Sequence, residues 1–97
     1  MSVGSVEVSA DAIVGISGQP LRVWNITWLS GGGGAGVMVL RNGTTASGAV
    51  YVQQPGSAAS VTTTLNFEGG LLFPGGCFFD KDTNVASAVV GFEQLGY

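Results

Sequence analysis

Glycine and the alternation of apolar with polar residues constrain the fold of this chain more than any other feature. Seventeen of the 97 residues are glycine, and Gly, Ser, Thr, Asn or Pro interrupts every apolar run. The segments between these breaks alternate with the period of a strand, and none repeats apolar residues at helical spacing. The sequence therefore predicts one all-β domain over residues 1–97, a small β-sandwich or jelly-roll-like barrel of about seven to nine short antiparallel strands.

The strand boundaries follow from the turn residues. Asn42-Gly43 favours a tight hairpin turn because both residues tolerate positive φ, and Glu68-Gly69-Gly70 predicts a second turn. In the longest predicted strand, simple alternation places Trp24 and Trp28 on one face. The predicted strands cover residues 3–9, 12–16, 21–29, 36–41, 47–53, 61–67, 71–73, 77–79 and 85–94.

Charge is scarce. The chain has three basic residues, six acidic residues and no histidine, whereas about a quarter of an ordinary domain is charged. Apolar residues make up 45% of the chain and the mean hydropathy is +0.42. A domain of about 100 residues buries only about 60–70% of its unfolded surface, so apolar surface should remain outside. A permanent assembly with another protein would cover it, and we expect a structural subunit.

The same composition argues against several partners. The net charge is -3, and Arg22, Arg41 and Lys81 are too few and too scattered to form a patch that neutralises phosphates. No run of about 20 apolar residues suggests a membrane span. The N-terminal residues lack the basic start and apolar block of a secretory signal. We therefore expect no nucleic acid, no membrane, and a protein that stays in a cytoplasm or is released by lysis.

Catalytic and metal chemistry have few candidate residues. Without histidine there is no imidazole base and no usual metal site. Asp80-x-Asp82-x-Asn84 has the spacing that opens a calcium loop, but Val85 replaces the required glycine and Gly91 the bidentate glutamate. We expect a hairpin loop there, no metal, no cofactor and no enzymatic activity.

Cys77 is the sole cysteine and lies in an apolar run. A single cysteine excludes an internal disulfide. Reactive thiols need basic neighbours or a helix N-terminus, so the sequence predicts a buried, inert thiol.

The candidate interface consists of a glycine-rich loop and aromatic or apolar residues. Residues 31–36 have no Lys-Ser/Thr behind them to bind phosphate, so they are interpreted as a mobile loop that orders on assembly. Trp24 and Trp28 are expected in the core or an interface, or, if exposed, stacked on a sugar ring. Together with the two termini, the predicted interface residues are Trp24, Trp28, Gly31, Gly32, Gly33, Gly34, Leu71, Leu72, Phe73, Phe78 and Phe79.

Residues 71–85 and the hairpin around Arg41-Asn42-Gly43-Thr44 resemble small virion proteins of tailed bacteriophages, cyanophages among them. The resemblance extends over most of the chain and lies in its general composition, namely Gly-, Ser- and Thr-rich strands with almost no charge. It includes no diagnostic motif and transfers no catalytic residue. It implies a structural component of a phage particle. Proteins of this size in that group are often capsid cement or decoration proteins that bind the shell as trimers, and others are tail, neck or fibre parts.

These considerations give one leading expectation and two alternatives. The leading expectation is a homotrimeric cement protein, assembled in the host cytoplasm, that bridges major capsid proteins on the exterior of the virion. The first alternative is a tail, neck or fibre component. The second, of another class, is a small carbohydrate-binding module that uses Trp24 and Trp28.

Overall fold

The computed structural model describes residues 2–81 and 83–95, with side chains from residue 4 onward in those ranges. No described residue is helical. The eight strands are β1 (Ser2–Val8), β2 (Ala12–Val14), β3 (Leu21–Ser30), β4 (Val37–Asn42), β5 (Ala49–Pro55), β6 (Thr62–Phe73), β7 (Cys77–Lys81) and β8 (Val85–Gln94).

The strands form two four-stranded sheets. Sheet A has the order β1-β8-β3-β6 and sheet B the order β2-β7-β4-β5. Every neighbouring pair is antiparallel. The predicted all-β sandwich is therefore confirmed.

The core lies between the two sheets and is built from the alternate residues that face inward. Ala88 and Val90 of β8 face it from sheet A, and Met38 and Leu40 of β4 face it from sheet B. The buried apolar residues are Val8, Val14, Leu21, Val23, Ile26, Trp28, Met38, Leu40, Phe73, Cys77, Phe79, Val85, Ala88 and Val90.

A β-bulge in β3 overturns the predicted common face of Trp24 and Trp28. Val23 pairs with Phe92 and Asn25 with the next residue of β8, Gly91, so Trp24 is the extra residue on its strand. An inserted residue reverses the alternation beyond it. Trp28 is consequently fully buried while Trp24 is exposed.

The turn predicted at Glu68-Gly69-Gly70 was wrong, because β6 runs through it. On one side of these residues Leu71 pairs with Val23, and on the other side Asn66 pairs with Asn25. Gly69 and Gly70 both have a φ of +79°, which glycine adopts without a Cβ penalty. The two glycines let the chain bulge outward and return to the same partner strand.

The hairpin predicted around Asn42-Gly43 exists, but its turn is longer than expected. The last pair of β4 and β5 is Asn42 with Ala49, so residues 43–48 form the connection. The Asn42 side chain accepts a hydrogen bond from the Gly75 N–H at 2.8 Å, and the Gly43 N–H donates to the Gly76 carbonyl at 2.9 Å. These residues therefore fasten β4 to the β6–β7 turn.

The hairpin loop expected at residues 80–84 was also wrong. β7 belongs to sheet B and β8 to sheet A, so this segment crosses from one sheet to the other. Asp82 lies outside the described residues.

Candidate interaction surfaces

The predicted interface residues divide into three groups by exposure. Trp28, Phe73 and Phe79 are fully buried in the core. Gly31, Gly34, Leu71 and Phe78 are half-buried, and Trp24, Leu72, Gly32 and Gly33 are exposed. The two termini, at Met1, Gly96 and Tyr97, lie outside the described residues.

The structure brings Trp24 and Leu72 together but leaves the glycines apart. Leu72 pairs with Arg22, two positions before Trp24, so both side chains lie on the outer face of sheet A. The glycine-rich loop follows the far end of β3, about 20 Å away at the usual rise per residue of a strand.

Hydrogen bonds fix both ends of the glycine-rich loop. The Gly31 N–H donates to the Asn84 carbonyl at 2.6 Å. At the other end the Gly36 N–H donates to Ser30 Oγ at 3.0 Å, and the Gly36 carbonyl accepts from Trp28 Nε1 at 3.1 Å. A Cβ on Gly36 would collide with the Asn84 backbone and the Val85 side chain. The exposed residues of the loop are therefore limited to Gly32, Gly33 and Ala35, between these fixed ends.

The side of the sandwich formed by two edge strands, one of them without any charge, is the first candidate surface. β5 is the edge of sheet B and β6 is the edge of sheet A. Tyr51 of β5 packs on Phe73 of β6 with the ring centroids 5.2 Å apart, which places both edges on one side of the molecule. No residue between Arg41 and Glu68 carries a charge. We call this region the β5–β6 side.

β5 itself is almost entirely exposed. Val52 is its only half-buried residue, and Val50 and Tyr51 are 45% and 42% exposed. Among the described residues β5 pairs only with β4 and β6 only with β3, so their outer edges present unpaired N–H and C=O groups. Such edges are templates for pairing with another chain.

Charged side chains protect the opposite side of the sandwich against pairing with another strand. Its edges are β1 and β2, which carry or adjoin the exposed carboxylates Glu7 and Asp11. Charged side chains on an edge oppose pairing with a second strand. On the β5–β6 side Glu68 of β6 is exposed, but β5 carries no charge. β5 is therefore the better edge for association, and its charge-free sequence was readable in advance although its edge position was not.

The outer face of sheet A around Trp24 is the second candidate surface. Arg22 places its guanidinium carbon 5.9 Å from the centroid of the Trp24 ring, and Arg22 Nη1 lies 3.5 Å from Glu93 Oε1. Asn25 pairs across the sheet with Asn66. Thr27 and Thr64, the next outward pair, join their hydroxyls at 2.9 Å. An exposed indole thus stands beside a row of neutral polar side chains.

A shallow groove of about 450 Å³ on the outer face of sheet B is the third candidate. Two of its charged side chains, Arg41 and Asp80, already form hydrogen bonds within the protein. Arg41 Nε bonds Asp80 Oδ2 at 2.8 Å, and Arg41 Nη1 donates to the Gly48 carbonyl at 2.9 Å. The residues that line the groove are Val37, Val39, Arg41, Gln53, Asp80, Lys81 and Thr83.

The cysteine thiol, metal-binding clusters and membrane-spanning helices are the remaining features to consider. Cys77 is buried, as predicted, and desolvation raises the pKa of its thiol from 9.0 to about 12. In residues 2–81 and 83–95 no group of three or more Cys, Asp or Glu side chains could hold a metal ion. Within the same ranges, no helix is long and apolar enough to cross a membrane.

Comparison of the chain with protein-family models, with curated proteins and with solved structures found no match.

Proposed function

We propose that this protein is a structural subunit of a virus particle that associates through its β5–β6 side. The observation that carries the proposal is the exposed, charge-free edge strand β5. Pairing of this edge with another chain satisfies its free backbone groups and removes Val50 and Tyr51 from water. Because β5 carries no ionised group, pairing along this strand has no charge of its own to desolvate.

The more specific proposal is a capsid cement or decoration protein. A homotrimer forms when the β5–β6 side of each copy meets a different surface of the next copy, since a ring closes only through such head-to-tail contacts. Other exposed apolar residues, Ile13 and Ile16 among them, then remain to contact the major capsid protein. Many copies would each bridge neighbouring shell subunits. Separating two shell subunits would then require several contacts to break at the same time.

The number of copies in the particle tests this role. We expect quantitative mass spectrometry of purified virions that encode the chain to find hundreds of copies. Labelling of intact particles should place them on the exterior of the shell. A few copies or a few tens would instead indicate a tail, neck or fibre component, and absence from the particle would contradict a virion role altogether.

A further inference from the structure

Trp24 is held on the outer face of sheet A by a specific backbone feature. The bulge in β3 places it between the buried Val23 and the exposed Asn25, and 37% of the residue remains exposed. Burying an indole is strongly favourable, and Trp28 on the same strand is fully buried. Bulges commonly redirect a side chain at a functional site. The exposure of Trp24 therefore points to a ligand that covers it.

Amide side chains lie beside the indole. Asn25 and Asn66 are opposite each other on β3 and β6, and both are exposed. A Cβ on Gly91 would lie only 2.6 Å from Asn25 Oδ1, so glycine at this position lets Asn25 extend across β8. Each amide offers both donors and acceptors, which suits a ligand that has hydroxyl groups of both kinds.

The cation on this face, Arg22, is already paired with an anion. Arg22 lies 3.5 Å from Glu93 and close to the Trp24 ring. The aliphatic part of Arg22 crosses Gly70, where a Cβ would collide with it. The other charged residues of sheet A, Glu7 and Glu68, are exposed carboxylates, so the face repels a phosphate or a sulfate. It complements a neutral ligand.

We propose that this surface binds a neutral oligosaccharide. One face of a pyranose ring stacks on Trp24 while its hydroxyls exchange hydrogen bonds with Asn25 and Asn66. A second copy of the chain fits less well. The Asn25–Asn66 and Thr27–Thr64 pairs separate the exposed Leu72 from Leu29, so a protein partner would have to desolvate a polar row. The inference does not depend on the proposed assembly role.

The two tryptophans allow a direct test by NMR, since each gives one indole N–H signal. Titration with maltohexaose, cellohexaose, mannohexaose, chitohexaose and a galactan hexamer is expected to shift the Trp24 signal saturably with at least one of them. The Trp28 signal should stay fixed, because its Nε1 is buried and bonded to the Gly36 carbonyl. It serves as an internal reference.

Variants identify the binding residues. We expect Trp24→Ala to weaken binding by about tenfold or more, as loss of a central aromatic contact does, and Trp24→Phe to retain part of it. Val89→Ala, equally exposed on the same sheet, should leave the affinity unchanged. Unchanged affinity in Trp24→Ala would overturn the proposal.

Two further outcomes would also overturn it. One is the absence of any shift with the whole panel at millimolar concentrations. The other is a Trp24 shift that depends on protein concentration alone, which would assign this face to self-association. A substitution on β5 such as Val50→Lys should leave the sugar titration unchanged, so failure of the assembly proposal and failure of this one are distinguishable.

Discussion

Trp28 and Trp24 show that the environment of a side chain determines whether it contributes to the core or to the surface of the protein. Trp28 has no exposed surface and bonds the Gly36 carbonyl through Nε1 at 3.1 Å. Its ring therefore connects β3 to the end of the glycine-rich loop. Trp24, on the same strand, contacts Arg22 and solvent. Their side chains are identical, so their substitution separates a core role from a surface role.

The stability of matched alanine variants tests this difference. Trp28→Ala should lower the free energy of unfolding by about 3–5 kcal/mol, since it leaves a large cavity in the core. Trp24→Ala should lower it by at most about 2 kcal/mol, because 37% of the residue is already exposed and its removal leaves no cavity in the core. Chemical denaturation followed by circular dichroism measures both values. Equal losses in the two variants would contradict the assigned environments.

Cys77 gives a prediction about pH. Burial raises the pKa of its thiol from 9.0 to about 12, so the folded protein holds the proton more tightly than the unfolded chain. The resulting contribution to stability is complete below pH 9 and is lost as the pH rises toward 12, by up to about 1.4 kcal/mol per pH unit. Urea denaturation at pH 8, 9.5 and 10.5 should show this decline in the wild type and a shallower one in Cys77→Ala. Parallel profiles for the two proteins would contradict it.

At the scale of the strands, periodicity and turn residues predicted much of the fold. The bounds of β8 were predicted as observed, because Asn84 and Leu95 flank a continuous alternating run. Alternation over residues 61–67 predicts one face with Val61, Thr63, Leu65 and Phe67 and another with Thr62, Thr64 and Asn66. Within β6 the first set is half-buried and the second exposed, but Val61 lies before the strand and is exposed. Alternation is a local property, and it survives wherever a strand is regular.

The elements that were mispredicted depend on partner strands. Gly69-Gly70 has the composition of a turn, and only its flanks' pairing with β3 makes it a bulge. The bulge at Trp24 arises because β8 supplies one fewer residue than β3. The edge position of β5 likewise follows from the order of the sheets. The local sequence of each segment contains no information about its partner strands. The faces around Trp24 therefore could not be assigned from the sequence.

At the scale of the whole molecule, the distribution of charge is the main asymmetry. Glu7 and Asp11 are exposed on the β1–β2 side, whereas on the β5–β6 side Glu68 of β6 is exposed and β5 has no charge. Proteins that must remain monomeric usually protect every edge. An edge strand left without charge, as β5 is, is consistent with a subunit whose β5 edge is covered in an assembly. This asymmetry connects the scarcity of charge in the sequence to the proposed function.

Association through β5 can be measured by light scattering behind size exclusion on the wild type and two lysine variants. Val50 on β5 and Val89 on the outer face of sheet A are similarly exposed, at 45% and 41%. We predict a discrete trimer for the wild type and for Val89→Lys, and a folded monomer for Val50→Lys, because a charge placed on the uncharged strand β5 must be desolvated on association. A wild type that stays monomeric at high concentration, or a Val50→Lys variant that associates as the wild type does, would contradict this prediction.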